Sequence, residues 1–544
     1  MKVTNKSIED MEIITRNIDH LGIVAGVFDE LGISEVLDEK IPKNRQHKVS
    51  HSTIVKAMVL NGLGYTERRL YLFPSYFNNL PTERLLGRGI LPEDINEDTV
   101  GRTLDRIYEY GPTKLFSEIA LKVMKKLSVE PLLLHLDTTS FSVEGGYEGE
   151  DGENAIEITF GYPKDGRWDL KQFILSMATN QYGMPLFEEI HSGNKSDKEI
   201  IRQTFKKLKE ELRTGIDKVY YIADSSFYTE DNIREVGNDV YWITRVPSTI
   251  KMAKDLLKEE LEMVQCEDAR YSLCETRVNY GGVEQRWIVV DSKEMRERKE
   301  VSFDKEIEKD REKAEKELMH LRNREFYCEA DAIEEANRWI EKHPLYRFKE
   351  LKIREKLRKP EKKRGRPRKG EELDRYYLIE GELEVIEEEI EREREKLGRF
   401  IIATNDVDTE VSGEEILNYY KDQKYIEGGF RFLKDKSFRV SEVYLKKEER
   451  IAALLMVMVL TLLVYTIAEW KIRKELARLG ESIPNQKGKP TQRPTMKWIF
   501  QFFRGISEVK MELMGEEVVK VTNLRDVPKK ILSLMGRECE KYYN

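Results

Sequence analysis

Cysteine is scarce: four in 544 residues, at Cys266, Cys274, Cys328 and Cys539. That number in so long a chain makes no disulfide framework, and no pair has the CxxC spacing of a zinc site. The opening residues Met1 to Lys6 (MKVTNK) lack an apolar stretch leading to a small-residue cleavage site. No secretory signal is visible there, and a cytoplasmic protein is expected. Proline and glycine, 16 and 33 residues, fit a globular protein rather than a low-complexity one. An excess of positive charge is also missing. The formal net charge is −8, whereas a nucleic-acid-binding domain commonly has a pI above about 9. Long uncharged runs are missing with one exception, the 18 residues from Ile451 to Ala468. As a helix this run spans roughly 27 Å at about 1.5 Å per residue, the lower limit for crossing a membrane. Glu448, Glu449 and Arg450 precede it and Glu469 follows. We expect a helix buried on all sides in a protein core, and no membrane partner.

What is abundant is charge, 36% of the residues, and it is segregated. Residues 341–370 hold 14 Lys/Arg against 4 Asp/Glu (+10), residues 371–396 hold 4 against 12 (−8), and residues 471–504 hold 9 against 2 (+7). Basic segments bind phosphates within a Debye length of about 8–10 Å, whatever the charge of the whole chain. The length exceeds one compact core, so about two to four domains are expected.

Two short apolar runs each end in an acid: Pro131–Asp137 (PLLLHLD) and Lys218–Asp224 (KVYYIAD). Such runs fit buried strands, and the end of a buried strand opens onto a crevice where sites are favoured. Asp also commonly ends a strand and starts a turn, so each signal alone is weak. His135 shares the face of Asp137 on its strand and is either a base or a packed histidine. Downstream, Tyr420–Lys434 (YKDQKYIEGGFRFLK) reads as one helix. Tyr420, Glu427 and Lys434 stand seven residues apart, nearly two turns, and point the same way. Tyr420 and Lys434 then lie roughly 10 Å along the axis from Glu427. That spacing suits an extended polyanion with the acid at its reacting bond, and it equally suits the solvated face of a charged helix.

Together, Asp137, Asp224 and Glu427 resemble the acids of the DDE transposases of bacterial insertion sequences. The nearest group is the insertion-sequence-four class, with its tyrosine–arginine–glutamate–lysine signature. The matching positions are Tyr420, Gln423, Glu427 and Lys434. Gln423 stands where the signature has Arg, which keeps hydrogen bonding and loses charge. The resemblance extends to residues 161–172 (GYPKDGRWDLKQ), 191–197 (HSGNKSD) and 241–247 (YWITRVP), and spans most of residues 10–510. It implies an α/β ribonuclease-H-like catalytic core, with Asp137, Asp224 and Glu427 as catalytic residues that hold two Mg²⁺ (or Mn²⁺) ions. It implies cleavage of double-stranded DNA at transposon terminal inverted repeats and strand transfer into target DNA, by a homodimer in a synaptic complex. Related enzymes excise through a hairpin intermediate, which the resemblance suggests here. Tyr420, Gln423 and Lys434 would contact DNA. Two other readings stay open: an inactive transposase-derived DNA-binding protein, and a nuclease of the same fold without strand transfer.

The chain divides accordingly. Residues 1–125 read as helical, with helices near 53–62 and 98–108 and Arg102 and Arg106 on one face, a unit suited to DNA binding. Residues 130–248 read as the first part of the core, with strands near 132–138, 155–161 and 171–179, a capping box at Ser196–Glu199, and a strand–helix–strand run after it. Residues 249–400 read as an insertion with a strand at 285–290 and charged helices at 303–342 and 379–397. Residues 401–470 complete the core, and residues 471–544 form a basic helical C-terminal region. Within the insertion, Lys362–Gly370 (KKRGRPRKG) resembles an AT-hook, with Arg364, Arg366 and Arg368 suited to a narrow minor groove. The same residues read equally as a basic linker between the charged helices.

Overall fold

Short polar residues open the N-terminal helices. The computed structural model describes residues 13–64, 73–144, 156–211, 218–358, 373–408, 410–435, 447–513 and 516–544. Strand β1 (Ile13–Asn17) leads into α1 (Leu21–Leu31), α2 (Ile33–Lys40), α3 (His51–Gly62), α4 (Phe73–Phe77), α5 (Thr82–Leu86), α6 (Glu97–Tyr110) and α7 (Pro112–Leu127). Ser50 accepts from the Thr53 amide to cap α3, and Asn96 accepts from Thr99 to cap α6. Each cap satisfies one of the donors that a first helical turn leaves unpaired. α6 buries Val100, Leu104 and Ile107 and leaves Arg102 and Arg106 exposed.

The β-sheet begins with an antiparallel meander, β2 (Leu133–Val143), β3 (Lys171–Asn180) and β4 (Pro185–Ser192). Helix α8 (Asp197–Glu211), β5 (Tyr220–Ala223), α9 (Glu230–Val236), β6 (Tyr241–Val246) and α10 (Lys251–Lys258) alternate after it. β7 (Val264–Gln265), β8 (Tyr271–Tyr280) and β9 (Val283–Ser292) come next. Strands β7–β9, expected within the insertion of residues 249–400, extend the main sheet instead, and the rest of that segment runs through α11 (Lys293–Arg322), α12 (Glu329–Lys342), β10 (Tyr346–Phe348), β11 (Lys352–Arg358), β12 (Asp374–Glu380), β13 (Leu383–Val385) and α13 (Glu387–Lys396) before β14 (Arg399–Thr404) rejoins the sheet. Among the described residues the sheet has nine strands in the order β4-β3-β2-β5-β6-β14-β9-β8-β7, with β5 and β6 parallel to β2.

Five local expectations change. Residues 156–161 form no strand and keep only the bridge of Thr159 to Gln172. Backbone packing sets that path: a side chain at Gly161 would stand 1.9 Å from the Gly193 carbonyl oxygen, so two glycine segments press together where a strand side chain would not fit. At α8, Ser196 accepts from the Glu199 amide, but the Glu199 carboxylate turns to Gln203, so only half of the capping box forms. The charged segment 303–342 is two helices, α11 and α12, which pack Ala314 and Leu318 against Ala336 and Trp339 in a core of their own. The segment 379–397 is strand, turn and the short α13, because Tyr377, Ile379, Leu383 and Val385 find partners in that same core. The basic segment with Arg364, Arg366 and Arg368 lies outside the described residues. It is flanked by the paired strands β11 and β12 and not by helices.

After β14 come α14 (Gly413–Lys421), α15 (Lys424–Lys434) and the 32-residue α16 (Glu448–Leu479). α16 is long and apolar enough to cross a membrane, but 83% of its most apolar window is buried. Its apolar residues share one core with those of α1, α3, α6 and α7 and with one face of the sheet. Gly480, in the left-handed region at φ 66°, ends it as glycine commonly does. The chain closes with β15 (Ile483–Pro484), β16 (Pro490–Thr491), α17 (Met496–Phe502), β17 (Ser507–Leu513), β18 (Glu516–Thr522), α18 (Asp526–Met535) and α19 (Arg537–Glu540). The C-terminal region is therefore not purely helical, and β17 pairs with both β18 and the N-terminal β1.

The two ends of the chain clasp each other. The buried Tyr543 donates to the Asp19 carbonyl at 2.7 Å, and Lys56 donates to Asp29 at 2.7 Å and to the Tyr542 hydroxyl at 2.8 Å. α1 and α19 meet backbone to backbone at Gly26, where a Cβ would stand 2.5 Å from Cys539 Cα. Backbone cannot yield as a side-chain tip does, so Gly26→Ala should cost about 1–3 kcal/mol as an overpacked contact, read as a lower melting temperature.

Glu188 on β4 is fully buried, and neither carboxylate oxygen is hydrogen-bonded among the described residues. Burial, then the neighbouring Glu189, push its pKa up to about 8. A carboxyl whose folded pKa exceeds its unfolded value loses stability as pH rises between the two. Burial pushes His20 and His135 down to about 4 and His191 to about 3, so their contributions grow through the ordinary histidine range and are complete only by about pH 7.5. The histidines are common to both proteins, so between about pH 6.5 and pH 8 the melting temperature of the wild type should fall relative to that of Glu188→Gln.

Candidate active site

β2 and β5 run parallel, with His135 opposite Ile222. Two residues further along each strand stand Asp137 and Asp224. Side chains repeat every second residue and neighbouring strands lie about 4.8 Å apart, so the two acids sit side by side on one face. Ala223 is opposite Thr244 of β6, which brings Arg245 next to Asp224. α14 covers this face with Ile416 and Leu417 packed among Leu133, Ile222 and Ile243. α15 continues across β2 and β3 with Ile426 and Leu433 buried beneath it.

The expected single helix over 420–434 is thus two, α14 and α15, separated by Asp422 and Gln423. Both residues keep right-handed angles, but ψ is only −4° at Asp422, which loosens the turn. The two helices pack on different strands of a sheet that twists, so one straight rod would lose one of the two contacts. Tyr420 and Glu427 therefore sit on separate helices. The half-buried Tyr420 hydroxyl faces the acids directly: burial, opposed by Arg245 and reinforced by Asp224, Glu427 and Asp137, pushes its pKa up to about 12. One phenol within the field of all three carboxylates shows that segments nearly 300 residues apart in sequence, from Asp137 to Glu427, converge here.

Each acid has a different setting. Asp137 accepts from the Thr138 amide at 2.7 Å and lies 3.9 Å from Lys164. Burial pushes its carboxyl up to about 6, opposed by Lys164 and Thr138 and reinforced by Asp224 and Asp197. Asp224 is held by the Ser226 amide at 3.0 Å and by the Ser226 hydroxyl. Glu427 is exposed in the first turn of α15 and makes no hydrogen bond or ion pair among the described residues. Lys434 lies over the Phe141 ring at 5.3 Å, and burial lowers its pKa while Asp165 and Asp137 raise it. Gln423 is half-exposed at the start of α15 and caps no amide with its side chain. His135 is packed, with neither ring nitrogen hydrogen-bonded.

Three further residues belong to the site. The Thr138 hydroxyl donates to Asp197 at 2.7 Å. Lys164 bonds the Thr138 carbonyl and hydroxyl at 2.7 and 2.9 Å and stands 3.3 Å from Asp197. Arg245 lies over Phe400 at 5.0 Å, on the Asp224 and Tyr420 side. All three fall inside the segments 161–172, 191–197 and 241–247 singled out above, but nothing in sequence spacing assigns them a role.

The donor set is all oxygen, the kind that hard divalent cations take. Among the described residues no three His, Cys, Asp or Glu side chains close on a single point. Such ions would be held first by Asp137 and Asp224, which stand side by side. Burial is the main cause that raises the Asp137 carboxyl, and a bound cation would offset it, so the residues fit such ions.

The comparison with known families agrees in kind. Residues 130–464 match the transposase DDE domain, and residues 13–121 match a domain of unknown function (DUF4277). The first match covers more than half of the chain, and the protein belongs to the DDE-domain transposase family. No curated protein matches it. Among solved structures, a piggyBac transposase synaptic complex with hairpin DNA is similar at 9% identity, over 90% of this chain and 80% of that one, with a TM-score of 0.36.

Proposed function

We propose that the protein is a metal-dependent transposase that cuts DNA at the ends of its element and joins the freed ends to target DNA. The observation that carries this reading is the register of β2 and β5, which sets Asp137 beside Asp224, with Tyr420 and Glu427 on the helices that pack over the same sheet. The sheet order supports a ribonuclease-H-like core: an antiparallel meander β2-β3-β4, followed by β5 and β6 parallel to β2. Mg²⁺ or Mn²⁺ ions bound by these acids supply activation of an attacking oxygen and stabilisation of the leaving oxygen of a phosphodiester. Asp137, Asp224 and Glu427 would hold the ions.

The protein's own groups do the rest. Tyr420 keeps its proton at neutral pH and donates a hydrogen bond to a phosphate oxygen. Lys434, Lys164 and Arg245 bring positive charge to the scissile segment, and Gln423 offers a neutral hydrogen bond where an arginine would have added charge. Water attacks first, breaking a P–O bond and leaving a 3′-hydroxyl on the element end. That hydroxyl then attacks a target phosphodiester by the same in-line displacement. A homodimer would pair two ends, Arg102 and Arg106 on α6 would contact DNA, and the work would take place in the cytoplasm.

A strand-transfer assay tests the proposal. Full-length protein, Mg²⁺, a supercoiled plasmid and pre-cleaved duplexes from the DNA flanking this coding region should give joined products, lost with Asp224→Asn. Plasmid nicking without joining would reduce the protein to a nuclease, and no reaction with intact DNA binding would leave an inactive relative.

A further inference from the structure

The other flank of α15 borders a groove of ≈ 860 Å³ between α15, α16 and the segment around Arg493. Among the described residues six cations line it, Lys424, Arg431, Arg473, Lys474, Arg493 and Lys497, against two acids, Asp435 and Glu469. Those acids are engaged locally: Glu469 pairs with Arg473 at 2.7 Å and accepts from the Met496 amide, and Asp435 stands 3.6 Å from Lys497. The groove keeps a net positive charge. It also carries ring surface: Tyr182 and Tyr425 are 47% and 38% exposed, and the Tyr182 and Trp470 rings lie 5.9 Å apart. Lys474 sits 4.5 Å over Trp470 and Lys424 5.0 Å over Tyr425.

Cations alternating with open aromatic faces suit a strand whose bases are unpaired, because bases stack on rings while phosphates meet the charges. A duplex offers the charges its backbone but hides its base faces. We propose that this groove binds a short unpaired DNA strand, with phosphates at Arg431, Lys474 and Arg493 and bases against Tyr182, Tyr425 and Trp470. Glu427 lies on α15, the helix that also lines this groove. The groove would hold a strand parted from the one being cut, so this inference rests on the DNA-cleavage reading above.

The test is fluorescence anisotropy of the full-length protein with a labelled oligothymidylate and, separately, a labelled duplex from the element ends. Lys474→Glu combined with Arg493→Glu, both on exposed positions, should weaken oligothymidylate binding at least about tenfold. Trp470→Leu should weaken it about tenfold, and neither variant should change duplex affinity more than about twofold. Glu427→Gln should leave oligothymidylate affinity unchanged. Unchanged oligothymidylate binding in the charge-reversed protein, or an equal loss of duplex binding, would overturn the proposal. Cleavage is not read in this assay, so the groove and the active site fail or stand separately.

Discussion

Glu427→Gln is expected to lower cleavage of element-end DNA by at least about a thousandfold, about 4 kcal/mol of transition-state stabilisation at about 1.36 kcal/mol per decade. The same substitution should move the melting temperature by less than about 1 °C. The reason lies in its setting: Glu427 is exposed and without a partner among the described residues, and surface changes of that kind stay within about 0.5 kcal/mol. Loss of activity without loss of fold is what a group held free for its reaction should show. A fall of several degrees would mean that Glu427 supports the structure and that its exposure has another cause.

Asp137→Asn should be equally damaging to cleavage but should stabilise the metal-free protein. Burial and the facing acids Asp224 and Asp197 hold its carboxyl at about 6, against an ordinary 3.8. With the folded pKa above the unfolded one, stability is lost as pH rises from about 4 to about 6, and at pH 7 the loss is complete. The gap of about 2 pH units corresponds to about 3 kcal/mol. Asn removes the charge and most of that loss. Thermal melts at pH 7 in EDTA should therefore place Asp137→Asn above wild type, with the advantage shrinking when Mg²⁺ is added, because only the wild type gains from it. A lower melting temperature in EDTA would show that Asp137 supports the fold as an ordinary core polar group.

Several of these features were legible in the sequence for definite physical reasons. Asp224 directly follows β5, as its apolar run predicts, whereas Asp137, also expected at a strand end, lies inside β2, which continues to Val143 because the residues after Asp137 are buried as well. The uncharged stretch from Ile451 to Ala468 reads as a core helix because charged residues bracket it. Other features depend on tertiary packing and left little local trace. The break at Asp422–Gln423 needs neither Gly nor Pro, only a twisted sheet beneath two helices, and helical spacing alone ran through it. The strand expected at 155–161 yields to a glycine contact between Gly161 and Gly193 that periodicity does not register. Lys164, Asp197 and Arg245 are ordinary charged residues in sequence, and only the register of β2, β5 and β6 and the path of residues 161–166 gather them. The clasp between Tyr542, Tyr543 and α1 joins residues more than 500 positions apart, beyond the reach of any local pattern.

The central claim is that Asp137, Asp224 and Glu427 form one site for DNA strand cleavage. The most direct measurement maps 3′-hydroxyl ends produced by the full-length protein on end-labelled DNA carrying the sequences that flank its coding region. With Mg²⁺ or Mn²⁺, breaks should appear at the element ends, and each of Asp137→Asn, Asp224→Asn and Glu427→Gln should abolish them while the protein still binds that DNA. Undiminished cleavage by any one of the three would contradict the account.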